Sequence, residues 1–190
     1  ERGYQEMTDK KPNPLLLSQQ TDALFGEACR ILRTNLSFAS PAYPCRTLLF
    51  TSPNPGDGKS TVASNLAVVL YQAGHKVLLI DCDLRKPSQH KIFPTDNSGG
   101  LVNVLLQDRP ISEYMYQVAA GLWLLPSGPI PPNPSELISF KKTREFWSQQ
   151  LVSFDYVLVD APPLLGVTDA VLLSTQLDGV IIVLNVVNTR

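Results

Sequence analysis

The sequence predicts an α/β fold: a mostly parallel β-sheet with helices on both faces. Three observations predict it. Short apolar runs such as Leu48–Thr51, Val77–Ile80 and Tyr156–Val159 alternate with stretches of helical period. The first run enters a loop rich in Pro and Gly that opens directly into a helix. The other two end in aspartate, and ligands of parallel sheets gather at the carboxyl ends of the strands.

Composition sets the bounds. A chain of 190 residues, 44% hydrophobic and 17% charged, suits one globular domain with a full core. Sixteen Lys plus Arg against seventeen Asp plus Glu give a net charge of −1, so no bulk attraction to nucleic acid or to an anionic membrane is expected. The longest apolar runs, Val180–Leu184 and Leu122–Leu125, fall far short of the roughly 20 residues of a spanning helix. Cys29, Cys45 and Cys82 are odd in number and carry no C-x-x-C, which speaks against a disulfide framework and a zinc site. A soluble chain in a reducing cytoplasm is the expectation.

In chain order, residues 1–18 are polar at first, carry Pro12 and Pro14, and read as a linker or arm in which Tyr4 is exposed. From Thr21 to Phe38, Leu24, Ala28, Ile31, Leu32, Asn35 and Leu36 recur at three- and four-residue spacing, an amphipathic helix capped by Thr21 or Asp22. Its opposite face carries Glu27, Arg30 and Arg33, by spacing alone a solvated row with an ion pair. Pro41 and Pro44 end it.

Leu48–Thr51 is the first strand, and a helix from Lys59 to Ala73 follows, closed by Gly74. Between them lies Ser52-Pro-Asn-Pro-Gly-Asp-Gly-Lys-Ser-Thr61. Gly56 and Gly58 let the backbone approach an anion, and the N–H groups of Pro55–Thr61 and the helix start aim at it, Pro55 itself excepted. In such a cradle Lys59 reaches the β- and γ-phosphates and the Ser60 hydroxyl holds Mg²⁺. The standard G-x-x-x-x-G-K-[ST] pattern wants Gly where this chain has Pro53; an ordinary strand-to-helix turn is the competing reading of the loop alone.

Val77–Ile80 runs into Asp81-Cys82-Asp83-Leu84-Arg85. Residues 86–100 read as loop, 101–107 as a short helix with another from Ser112, and Leu122–Leu125 as a strand leading to the proline-rich 128–137. A helix from Ser135, its cap, to Leu151 follows, then strand Tyr156–Val159 ending in Asp160-Ala-Pro-Pro163, a helix over 169–174 and a last strand over 179–186. One Asp after a strand is ordinarily a turn residue. A phosphate loop, an Asp-x-Asp and a third Asp at one sheet edge form the layout of an enzyme that organises Mg²⁺ around a γ-phosphate. His75 and His90 read as surface residues.

These motifs resemble the bacterial tyrosine kinases of capsular and exopolysaccharide export, relatives of the partitioning and division-site ATPases, over about residues 21–182. Ser52–Thr61 is similar to Walker A as this family writes it, without the first Gly; Asp81-x-Asp83-x-Arg85 to Walker A′; and Val157–Pro163 to Walker B. The ATPases carry a signature Lys where this chain has Asn54. The resemblance implies a Rossmann-like P-loop domain over 19–190 that uses ATP and Mg²⁺ to phosphorylate protein tyrosine, largely on its own kind. It implies Lys59 on the phosphates, Asp81 as base or metal-side carboxylate, and Ser60, Asp83 and Asp160 positioning Mg²⁺. It turns Glu27, Arg30 and Arg33 from a solvated face into a contact in a ring-like homo-oligomer. It also implies a partner or fused transmembrane co-polymerase that holds the domain at the inner face of the membrane, with residues 1–18 as a juxtamembrane arm.

The family usually continues past the equivalent of Arg190 with a helix, a strand and a Tyr-rich tail, so the expectation is a chain lacking that end. The six tyrosines are scattered, with Tyr114 and Tyr116 the one close pair. Two other functions compete: a regulatory ATPase without phosphotransfer to protein, disfavoured by Asn54, and a nucleotide-dependent assembly scaffold.

Overall fold

A computed structural model describes residues 23–39, 45–107, 109–139, 141–150 and 152–186. The arm, Tyr4, the Thr21/Asp22 cap, the terminating Pro41 and Pro44, and positions 187–190 lie outside the described residues.

The elements are α1 (Ala23–Ala39), β1 (Thr47–Thr51), α2 (Lys59–Gln72), β2 (Val77–Asp81), α3 (Gln89–Ile92), α4 (Leu101–Gln107), a 3₁₀ turn (Ile111–Glu113), β3 (Tyr116–Ala119), β4 (Leu122–Leu125), α5 (Pro134–Ser139), α6 (Lys141–Gln150), β5 (Tyr156–Asp160), α7 (Asp169–Ser174) and β6 (Gly179–Ile182). The sheet order is β3-β4-β2-β5-β1-β6. All pairings are parallel except β3 with β4. The predicted three-layer architecture is what forms.

The central strands are continuous apolar runs because both of their faces are covered. Leu48, Phe50, Val77, Leu79 and Leu158 join Ala63, Leu66 and Leu70 of α2 in one core. Their neighbours in the strands, Leu49, Leu78, Ile80, Val157 and Val159, join Leu101, Leu137, Phe146, Trp147 and Leu173 of the helices on the other side. Period-two alternation thus sends successive residues into two cores.

Four expectations need correction. The inward face of α1 is Cys29, Leu32 and Leu36, which pack toward α2. Ala28 and Asn35 are exposed, and Leu24, Ile31 and Phe38 stand 78%, 53% and 72% exposed. Three- and four-residue spacing fits either stripe, and the buried thiol decides which one faces in. Second, the helix expected over 135–151 is two, α5 and α6, and Ser135 does not cap it: the Leu137 N–H donates to the Asn133 carbonyl, so Asn133 holds the cap position and Pro134 the first helical one. Third, the expected loop 86–100 contains α3, and the helix expected from Ser112 is a single 3₁₀ turn followed by β3. Fourth, the last strand ends at Ile182 rather than Val186.

Gly100 fixes the far end of that loop. A Cβ there would lie 2.1 Å from the Pro126 carbonyl oxygen, because α4 begins hard against the end of β4, with Leu101 N–H donating to that oxygen at 2.9 Å.

Candidate active site

β1, β2 and β5 deliver three arms to one sheet edge. Asp81 and Asp160 are paired in register across β2 and β5, and Phe50 of β1 stands opposite Asp160 on the other side.

The first arm is the phosphate loop. The Asn54 N–H donates to Asp57 Oδ2 at 2.8 Å and the Ser52 hydroxyl to the Asn54 carbonyl at 2.8 Å, which folds the turn on itself. Gly56 and Gly58 have φ of +88° and +96°, left-handed values that glycine adopts freely. Gly58 stands at the cap position of α2 with no side chain over the first N–H groups, which leaves them free to meet an anion. The loop is sewn to the third arm: Leu164 N–H donates to the Ser52 carbonyl at 2.8 Å and the Thr51 hydroxyl to the Pro162 carbonyl at 2.8 Å.

Lys59 turns inward. Its ammonium lies 3.0 Å from Asp83 Oδ2, 3.2 Å from Asp160 Oδ1 and 3.2 Å from the Ser60 hydroxyl. Burial alone would lower the Lys59 pKa, but the charges of Asp160 and Asp83 prevail and raise it. Asp160, fully buried, is raised by that burial despite Lys59. Three oxygen donors thus converge on one cationic point, and hard oxygens are the donor chemistry of Mg²⁺. Asp83, Asp160 and Ser60 fit the metal that the sequence motifs imply.

Asp81 stands apart from that convergence. Its Oδ2 accepts the Ser88 and Gln89 N–H groups at 2.8 and 2.9 Å, and its Oδ1 the Asp83 N–H at 3.1 Å. Burial first, then the charge of Asp160, push its carboxyl up to about 7. The same burial and carboxylates push the Cys82 thiol well above its usual value, so it is inert.

A cavity of about 580 Å³ opens over the site. Pro55, Gly56, Gly58, Lys59, Ser60 and Thr61 line it together with Asp83 and Arg85. Pro162, Pro163, Leu165 and Val167, from the segment bonded to the loop, add an apolar stretch to the lining. Asp57, Asp81 and Asp160 sit behind that surface. Arg85 is held in place by Asp169, with Nε to Oδ2 at 2.9 Å and Nη2 to Oδ1 at 3.2 Å, and Nη2 also meets the Ser135 hydroxyl at 2.9 Å. Glu27, Arg30 and Arg33 lie on α1, away from these arms, with Arg30 Nε 2.7 Å from Glu27 Oε2.

A family model described as an AAA domain matches residues 46–188. The tyrosine-protein kinase YwqD of Bacillus subtilis (strain 168) is 44% identical over 164 residues, which cover 86% of this chain and 69% of that protein. The chain belongs to the bacterial tyrosine-kinase family. The kinase domain of the Escherichia coli tyrosine kinase ETK superposes with a TM-score of 0.88 at 33% identity, over 95% of this chain and 72% of that one. The septum site-determining protein MinD from Pyrococcus horikoshii, complexed with Mg-ADP, superposes with a TM-score of 0.62 at 26% identity, over 73% of this chain and 57% of that one. The tyrosine-kinase resemblance of the motifs is therefore borne out, with the ATPases as more distant relatives.

Two residues of this tyrosine-kinase site were missed in the sequence. Asp169 was placed only as a helix start, although it anchors Arg85. Gln89, 0% exposed, donates through Nε2 to Asp160 Oδ2 at 2.8 Å and to the Ser60 carbonyl at 3.2 Å. Nothing in a lone Gln of a polar stretch marks it; its proximity to Asp160 comes from the turn after β2.

Proposed function

We propose that this tyrosine-kinase domain transfers the γ-phosphoryl group of ATP to protein tyrosine. The observation that carries the reading is the meeting of Lys59, Ser60, Asp83 and Asp160 at the sheet edge, the first three of them lining a cavity whose other lining residues are both polar and apolar. The loop amides from Gly56 to Thr61 cradle the phosphates, and Lys59 leaves its carboxylates to follow the transferring group. Ser60, Asp83 and Asp160 would hold Mg²⁺, which when bound would supply positive charge against the phosphate oxygens. The apolar stretch Pro162–Val167 accepts the aromatic ring of the incoming tyrosine. Its hydroxyl, with an ordinary pKa near 10, must lose a proton as the bond forms; Asp81, lifted to about 7, takes it in this reading, which requires the side chains lining the cavity to shift and uncover its buried carboxyl.

The same proposal includes assembly. Leu24, Ile31 and Phe38 form an uncovered apolar stripe beside Glu27, Arg30 and Arg33, the composition of a contact surface. A ring of copies joined through α1 supplies each site with a neighbour's tyrosine. Among the described residues no helix is long and apolar enough to cross a membrane; attachment to the inner face of the membrane through a fused or separate co-polymerase, in the service of polysaccharide export, rests on the family.

The test is a phosphotyrosine blot of the chain with ATP, Mg²⁺ and a tyrosine-containing acceptor peptide. Asp81→Asn is expected to slow transfer by about 10²–10⁴-fold while ADP affinity stays within about threefold. Unchanged phosphotyrosine removes Asp81 from the role of base. Phosphate release without any phosphotyrosine points to the regulatory ATPase instead.

A further inference from the structure

The geometry points to Gln89 as a positioning residue for the metal side of phosphoryl transfer: its carboxamide locks the Asp160 carboxylate so that one oxygen, Oδ1, faces the Lys59 ammonium. The inference rests on Asp160 serving Mg²⁺, as proposed above.

Gln89 is the first residue of α3, four residues long, and has no solvent exposure. It is tied to all three arms of the site. Its backbone N–H donates to Asp81 Oδ2 at 2.9 Å. Its side-chain nitrogen spends both protons, one on Asp160 Oδ2 at 2.8 Å and one on the Ser60 carbonyl at 3.2 Å. Its oxygen lies 2.8 Å from the Ser64 hydroxyl, whose one proton is shared with the Ser60 carbonyl at 2.6 Å. The two acceptors of the nitrogen set the direction of the amide: neither the Asp160 carboxylate nor the Ser60 carbonyl has a proton to offer, so the nitrogen is the end that meets them.

The residue type is specific to the task. A carboxylate with one oxygen pinned by an N–H donor cannot swing, and its second oxygen is presented at a fixed angle. Groups that orient a metal-binding side chain typically contribute 10–100-fold to metal affinity or activity. A Glu here would bring a third acid beside Asp81 and Asp160 and would have no proton to donate when ionised. An apolar side chain of the same length would leave Asp160 Oδ2 and the Ser64 hydroxyl without this partner. Neutral, planar and able to donate twice, Gln meets the requirement.

The experiment is Mg²⁺ titration of fluorescent-ADP binding to the full chain, with Gln89→Met, Gln89→Glu, Ser64→Ala and Asp160→Asn compared with the parent and thermal melting recorded for each. Gln89→Met is expected to raise the half-saturating Mg²⁺ concentration by about 10–100-fold while ADP affinity without metal stays within about threefold. Gln89→Glu should shift it in the same direction, and Ser64→Ala by a smaller factor, because the carboxamide then loses one of its contacts while keeping both donated bonds. A residue that served only the fold would lower the melting temperature and leave the Mg²⁺ midpoint of the folded protein where it was. If Gln89→Met does not fold, the Gln89→Glu and Ser64→Ala midpoints decide. Midpoints within twofold of the parent for the Gln89 and Ser64 variants, with Asp160→Asn shifted, overturn the inference alone. If Asp160→Asn is also unshifted, the metal reading of Asp160 falls and the inference falls with it.

Discussion

Replacing Lys59 by Met isolates what its ammonium does before any nucleotide arrives. Lys59 joins two carboxylates, Asp83 at 3.0 Å and Asp160 at 3.2 Å, whose side chains are 5% and 0% exposed. Removing one partner of a buried pair leaves uncompensated charge and costs about 3–5 kcal/mol. In a domain of this size, each kcal/mol moves the melting point by about 2–4 °C, so a fall of about 6–20 °C is expected. The measurement is thermal and urea unfolding in EDTA without nucleotide, followed through Trp147, which is buried against Phe146. The loss should also depend on pH. Without the Lys59 charge the Asp160 carboxyl, already raised by burial, sits still higher above its unfolded value, and a raised acid contributes stability that is lost as pH rises through its folded pKa. The deficit is therefore largest above neutrality and shrinks toward pH 5. A variant that melts within about 2 °C of the parent at pH 7.5 would refute the view of Lys59 as an internal counter-ion.

Asp81 gives a second pH test. Its carboxyl is lifted from 3.8 to about 7, so its contribution is complete below its ordinary pKa and lost as pH climbs through 7. The parent should lose stability across that window, by on the order of 4 kcal/mol at most, and Asp81→Asn should flatten the decline; an identical slope in urea titrations speaks against the lifted acid. For assembly, Arg30→Ala with Arg33→Ala should abolish higher oligomers in light scattering. The Glu27–Arg30 pair is half-exposed, so the double variant should keep monomer stability within about 0.5 kcal/mol. Unchanged mass would remove α1 from the interface.

Much of the sheet was legible in the sequence because its strands are buried on both faces and so read as unbroken apolar runs, bounded by turn residues. β3 was not, since it is an edge strand with Gln117 exposed and pairs antiparallel to β4 after a tight turn. α3 was hidden for another reason: four residues show no period, and what holds them is the bond from Gln89 to Asp81 rather than an amphipathic face. In the site, Walker A and both aspartate motifs could be read because their spacing is local. The union of Lys59 with Asp83 and Asp160 could not, and neither could the Arg85–Asp169 clamp, because sequence distance hides which side chains converge when strands are reordered.

That reordering has a consequence for how the protein comes into being. β1 and β2, which carry the phosphate loop and the Asp-x-Asp, do not touch as strands; β5 is inserted between them, pairing Thr47 with Val157 and Val77 with Tyr156. A chain leaving the ribosome thus holds two arms of its site from residue 89 onward, yet must wait for residue 156 before they are joined. Such long-range closure is slow and exposes apolar strand edges meanwhile. Nucleotide with Mg²⁺, bound as proposed above, would favour the closed sheet and so draw the equilibrium toward it. The substrate of the mature kinase is, for the newborn chain, a check that the last central strand has gone in.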